Sequence, residues 1–211
     1  MRNLFSLENP LIRFLHLFCD LMLLNALFII TCIPVFTIGA ATSAMYHMTL
    51  IMIEGEDPYI AKGYFHSFKE NFKQATLLWI PLFLASLFFA VDLYIIYQVI
   101  DPGYSYFQFP VWFFIFIIIS LMIYAFPLLG NYQNTTKQVL KNAILLSLSN
   151  FPTTIFIVML HLGIMYIASI SAKSLIIIGS LALFFGFAGV AYFCSLFLAR
   201  IFNKCEENEE S

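Results

Sequence analysis

Residues 33–53 read IPVFTIGAATSAMYHMTLIMI, and how this stretch is counted decides how the chain threads a membrane. It is apolar, yet residues 40–53 alone make only about 21 Å of helix, short of a hydrocarbon core of roughly 30 Å. If residues 33–39 run extended at about 3.3 Å each, part of that stretch supplies the missing depth and the segment crosses as a broken helix.

Longer apolar runs lie on either side, at 14–34 before it and at 76–99, 110–130, 152–172 and 175–199 after it. Each is long enough to span a bilayer. Counting only these five leaves Arg2 and Arg13 outside on a short tail, which the positive-inside rule disfavours. With 33–53 as a sixth crossing, Arg2, Arg13, Lys62, Lys69, Lys73, Lys137, Lys141, Arg200 and Lys204 share one face, and Lys173 alone lies on the other. We prefer this arrangement, with both termini cytoplasmic. The expected fold is all-α: a polytopic transmembrane helical bundle of five long spans plus a short broken helix, with one amphipathic interfacial helix on the cytoplasmic side.

Composition points the same way. Of 211 residues, 62% are hydrophobic and 10% charged, and the mean hydropathy is +0.90. Soluble domains carry about 25% charge. A net charge of −2 without a basic tract gives no footing to nucleic-acid binding. Cys19, Cys32, Cys194 and Cys205 show no CxxC spacing and read as free thiols, with no metal site. The first apolar run contains Asp20 and Asn25 and has no small-residue cleavage site, so it reads as a retained helix.

The expected organisation is one integral membrane domain. It comprises a broken helical hairpin (14–53), a cytoplasmic amphipathic helix (54–75), a hairpin (76–130), a cytoplasmic connector (131–150), a second hairpin (151–199) and a disordered acidic tail (200–211). In the amphipathic segment Ala61, Phe65, Phe68 and Phe72 recur at helical spacing, and Lys62, His66, Lys69 and Lys73 repeat it one residue later. Such a helix is expected in the interface plane, aromatics toward lipid and lysines toward phosphates, or as a docking face for a cytoplasmic partner. KENFKQATLL at 69–78 is echoed by KQVLKNAILL at 137–146, each followed by a proline and two spans, which suggests two similarly oriented units of basic cytoplasmic helix plus helical hairpin.

Ionisable groups at membrane depth cost a few kcal/mol each, about 2.5–3.5 for Asp, so each needs a reason. Arg13, His16 and Asp20 share one face of the first helix, as a structural polar cluster or as an ion relay. Asn25 lies deeper and is expected to bond to another helix. Asp92 stands near the outer interface. His161 is mid-helix, expected as a neutral histidine bonded across helices or as a ligand. The break at 34–47 is the candidate ligand site, because non-helical backbone at membrane depth is tolerated only beside protein or a water-filled cavity. Its hydroxyls Thr37, Thr42 and Ser43, with Gly39 and His47, suit a polar, sugar-like or anionic solute; a tight hairpin with no ligand fits the same residues. No hydrolase, protease or P-loop motif is present, so no enzymatic activity and no cofactor are expected.

The segments NPLIRFLHLFCDLMLLNALFIITCIPVFTIGAATSAMY, SFKENFKQATLLW and KQVLKNAILLSLSNFPTTI resemble the bacterial YesL-like family of integral membrane proteins. The most specific pieces are Pro34–Thr42 and Phe68–Ala75. The resemblance covers most of the chain and implies a bacterial plasma-membrane protein of unknown molecular function, from genetic surroundings rich in carbohydrate-uptake genes and ABC importers. It carries no known site residues. The expected roles are an accessory subunit docking ABC importer components through Lys62, Phe65, Phe68, Lys69, Phe72 and Lys73; an autonomous transporter with a site at 34–47, Asp20 and His161; or an intramembrane sensor. Solute, partner and oligomeric state are open at this point.

Overall fold

Apolar runs fold as helices in a bilayer because a lipid-exposed backbone must bond to itself. In the computed structural model, which describes residues 10–55, 59–98, 106, 108–132 and 134–210, the chain is all-α. The helices are α1 (Pro10–Thr31), α2 (Ile38–Glu54), α3 (Ile60–Gln98), α4 (Gln108–Asn131), α5 (Thr136–Ser149), α6 (Phe151–Ile170), α7 (Ala172–Leu181) and α8 (Phe187–Glu210). A π-turn, Ala182–Gly186, joins α7 to α8 without a break. Taking α7 and α8 as one, six helices among the described residues are long and apolar enough to cross a membrane.

α2 is the hub of the bundle. Its window is 61% buried, more than that of any other candidate span. Small residues allow this. A Cβ on Gly39 would lie 2.6 Å from the Trp79 Cβ and 2.8 Å from the Ala75 carbonyl oxygen, so α2 and α3 touch backbone to side-chain root. Likewise a Cβ on Gly63 of α3 would meet the Met48 sulfur at 2.8 Å, and one on Gly130 of α4 would meet the Ser43 carbonyl oxygen at 2.7 Å. Close approach of this kind drives helix association in membranes, where apolar burial alone gives no preference for protein over lipid.

Three expectations need correction. Residues 33–39 are not an extended strand: Pro34 is extended (φ −77°, ψ 119°), but a 3-10 turn occupies Val35–Thr37, and α2 begins at Ile38. The amphipathic segment is not a separate helix. It is the first half of α3, which runs without interruption through Pro81 for 39 residues, about 58 Å. The acidic tail continues α8 as helix to Glu210. The basic helix suggested by KQVLKNAILL is present as α5 within the connector 131–150, opened by a capping box in which the Thr135 N–H donates to Gln138 Oε1 at 2.9 Å.

The length of α3 also offsets the first hairpin. α2 lies along its polar half, from Gly63 to Trp79, and the Trp79 indole N–H donates to the Val35 carbonyl in the α1–α2 turn at 2.8 Å. Residues 80–98 run on past that turn for about 28 Å and pair with the first half of α4, Phe89 stacking on Phe114 with centroids 5.3 Å apart. Exposed Leu77, Leu84, Phe88, Phe109 and Phe113 leave this hairpin apolar on its outer sides. α6 folds back along α7 and α8, where Phe156 meets Phe193 and Phe197.

Candidate functional site

Three faces of α2 meet three different neighbours, and two of them carry polar side chains. Ser43 and His47 face α4, and Gly39 one turn before Ser43 sits between α3 and α4. Ser43 is fully buried beneath Gly130, and its hydroxyl has no hydrogen-bond partner among the described residues. His47 Nδ1 lies 3.0 Å from Asn131 Oδ1, and Asn131 Nδ2 donates to the Pro127 carbonyl at 2.9 Å. The amide is therefore oriented with its oxygen toward the imidazole, which puts the proton on His47 Nδ1 and leaves Nε2 with the lone pair in the neutral ring.

The next face meets α8. The Thr49 hydroxyl donates to the Tyr46 carbonyl at 3.0 Å, so Ser195 is the donor in the 2.8 Å hydroxyl pair between Ser195 and Thr49. One turn earlier the Tyr46 hydroxyl bonds to the Cys194 thiol. Two further buried tyrosines tie other helices. Tyr64 of α3 donates to Thr31 at 2.6 Å, and Tyr124 of α4 donates to Thr154 of α6 at 2.9 Å, since both threonines give their own protons to backbone carbonyls.

The residues singled out from sequence thus separate. Gly39, Ser43 and His47 come together on α2. Thr37 turns inward, its hydroxyl shared between the carbonyls of Thr31 and Pro34, and Thr42 bonds to the Ile38 carbonyl of its own helix at 2.8 Å. Those contacts close the turn. Asp20 is half-buried on α1 and His16 is exposed, whereas Arg2 and the Arg13 side chain lie outside the described residues. Asn25 does bond to another helix, as expected: its amide reaches the π-turn of the last helix. Among the described residues His161 bonds within its own helix and not across helices, its Nδ1 lying 2.8 Å from the Ile157 carbonyl. Thr49, Ser195, Tyr46 and Asn131 were not singled out, although Ala188, Ala191, Cys194, Ser195 and Ala199 already mark a small-residue face on α8.

On α3 the two stripes divide. Lys62, His66, Lys69 and Lys73 are exposed, with His66 3.6 Å from Glu70. Phe68 and Phe72 pack partly buried against the core, and Phe65 remains 40% exposed. Ala61, Lys62, Phe65, His66 and Lys69 line an open groove of about 480 Å³. The base of this helix is tied to the α4–α5 loop by Gln74 Nε2, which donates to the Asn134 carbonyl at 2.7 Å. Tyr132 packs on Phe202 of α8. The lysines of α3 and α5 and the end of α8 with Arg200 and Lys204 are thereby gathered at one end of the bundle. Among the described residues no group of three or more His, Cys, Asp or Glu is placed to hold a metal ion.

The α1–α2 turn, the whole of α2 and most of α3 fall within residues 21–93, which match the family described as protein of unknown function, DUF624. Over these residues the chain is similar to DUF624. The likeness to YesL-like membrane proteins agrees with this match. The chain is also 27% identical over 139 residues to the uncharacterized protein YteU of Bacillus subtilis (strain 168), covering 63% of this chain and 60% of that protein. The aligned part is thus under two thirds of that relative's length. No solved structure matches the chain. The matched segment therefore contains the hub helix, its turn and the basic face of α3, but ends before the α8 partners Cys194 and Ser195.

Proposed function

We propose that the protein is a non-enzymatic, multi-spanning accessory component of carbohydrate uptake in the bacterial plasma membrane, acting beside an ABC-type importer. The observation that carries the accessory part is the filling of α2 by its neighbours. The stretch with the best polar inventory for a solute, 34–47, meets Trp79, Ala75 and Gly130 at backbone distance, and Thr37 and Thr42 spend their hydroxyls on local carbonyls. The uptake part rests on the resemblance to YesL-like proteins. The exposed basic face of α3, bearing Lys62, Lys69 and Lys73 around the uncovered edge of Phe65, is the surface offered to the importer.

Affinity purification from native membranes tests this. An importer subunit is expected to co-purify with the wild-type chain and to be lost with the triple variant Lys62→Glu, Lys69→Glu, Lys73→Glu. Uptake of a labelled oligosaccharide by liposomes holding this chain alone would overturn it. A second reading, autonomous transport, draws on the Ser43 hydroxyl, which has no partner among the described residues, and on the His47 imidazole four residues on. The liposome experiment favours one reading at the expense of the other.

A further inference from the structure

A π-turn holds one residue more per turn than the α-helix around it, so it interrupts the regular backbone ladder and changes the rotational phase between the helices it joins. In a membrane protein, backbone groups so disturbed need a partner from elsewhere. At Ala182–Gly186 that partner is Asn25 of α1. Its Nδ2 donates to the carbonyls of Ala182 and Leu183 at 3.0 and 2.9 Å, and its Oδ1 accepts from the Ala188 N–H at 3.1 Å. The side chain is fully buried, and both amide protons and the oxygen are engaged. Gly186 completes the turn, since a Cβ there would sit 3.0 Å from the Leu181 carbonyl oxygen. Phe18 and Phe28 of α1 flank the contact, against Phe185 and Phe187.

We propose that Asn25 is a latch that sets the rotational phase of the last membrane helix, so that α1 controls which face α7 presents. Without the amide, the turn relaxes to α-helix, and one residue of extra winding rotates α7 against α8 by about 100°. Burial decides which side moves. α7 and the π-turn have no buried residue, whereas Ala188, Cys194, Ser195 and Leu198 of α8 are all buried, with Ser195 bonded to Thr49 of α2. α8 stays and α7 turns. The resting register is thus chosen by contacts on the first helix, more than 150 residues away in sequence.

The test uses two reporters in the full-length protein with its native cysteines replaced. Spin labels at Ile176→Cys on α7 and Tyr94→Cys on α3 read the phase of α7, and a Thr49→Cys, Ser195→Cys cross-link reads the seat of α8. Asn25→Leu is expected to shift the label distance, by up to about 8 Å for a side chain carried 100° around a helix of about 10–12 Å diameter. Cross-linking yield is expected to stay at the wild-type level, which also establishes that the variant is folded. Deleting Phe184 in the Asn25→Leu background removes the extra residue and is expected to restore the wild-type distance. An unchanged distance in Asn25→Leu, a lost cross-link, or a shift that the deletion does not reverse each overturns the proposal.

Discussion

Gly39 and Trp79 meet where the turn between α1 and α2 comes against the middle of α3, and there is no room for a methyl group between them: a Cβ on Gly39 would stand 2.6 Å from the Trp79 Cβ. The nearest atoms are the root of a side chain and a backbone oxygen, neither of which swings aside. Gly39→Ala is therefore expected to force α2 and α3 apart and to cost about 1–3 kcal/mol, the usual penalty of overpacking. Thermal unfolding in detergent micelles measures it, with Gly163→Ala as the control, since nothing lies within 4 Å of a Cβ there.

The hydroxyl pair of Thr49 and Ser195 joins the hub to the last helix at 2.8 Å. Hydrogen bonds between membrane helices average about 0.6 kcal/mol in double-mutant cycles, with a ceiling of about 1.7. A cycle of Thr49→Val and Ser195→Ala is expected to return a coupling in that range. A coupling of zero would mean that packing alone seats α8.

Phe72 and Lys73 are neighbours in sequence with opposite surroundings, one packed on the core and the other exposed. Phe72→Ala is expected to lower stability by about 1–2 kcal/mol, part of the value of a fully buried aromatic. Lys73→Ala is expected to stay within about 0.5 kcal/mol of wild type. Partner capture reads the reverse order, falling for the lysine variant at unchanged stability. Chemical denaturation of both variants, run beside the pull-down, separates folding from docking.

The basic residues gathered at one end predict the sidedness of the chain. With the other cysteines replaced, native Cys205 is expected to resist a membrane-impermeant thiol reagent in intact cells and to react after permeabilisation, whereas Lys173→Cys is labelled from outside. This holds whether the α1–α2 hairpin reaches the far face or stops short beside Trp79, because it enters and returns on the same side in both cases. Labelling of Cys205 in intact cells would reverse the proposed topology.

Much of this architecture is legible in the residues. Hydropathy sums locally along the chain, so the apolar runs at 14–34, 76–99, 110–130 and 152–199 reappear as α1, the second half of α3, α4, α6 and the joined α7–α8. Glu54-Gly55 ends α2 as a helix stop should, with Gly55 at φ +84° and its N–H on the Ile51 and Met52 carbonyls. The Thr135–Gln138 capping box was equally open to reading and marks the start of α5, the basic helix suggested by KQVLKNAILL. The continuity of α3 was not, because a change from polar to apolar along one helix looks the same as a boundary between two. Pro81 strengthened that impression without ending the helix.

The sequence by itself therefore determined that this is a multi-spanning helical membrane protein and which segments are apolar enough to span. It also marked Asn25 as a side chain in need of a partner on another helix. Only the tertiary structure decided that α2 is the buried hub, that Phe68 and Phe72 face the core, and that the partner of Asn25 is the π-turn of the last helix. The physical reason is that lipid tails are as apolar as a protein core, so hydrophobicity does not distinguish the two sides of a membrane helix. Which face turns inward is settled by close approach at Gly39, Gly63 and Gly130 and by hydrogen bonds such as Asn25 to Ala182, and these exist only once distant segments are side by side.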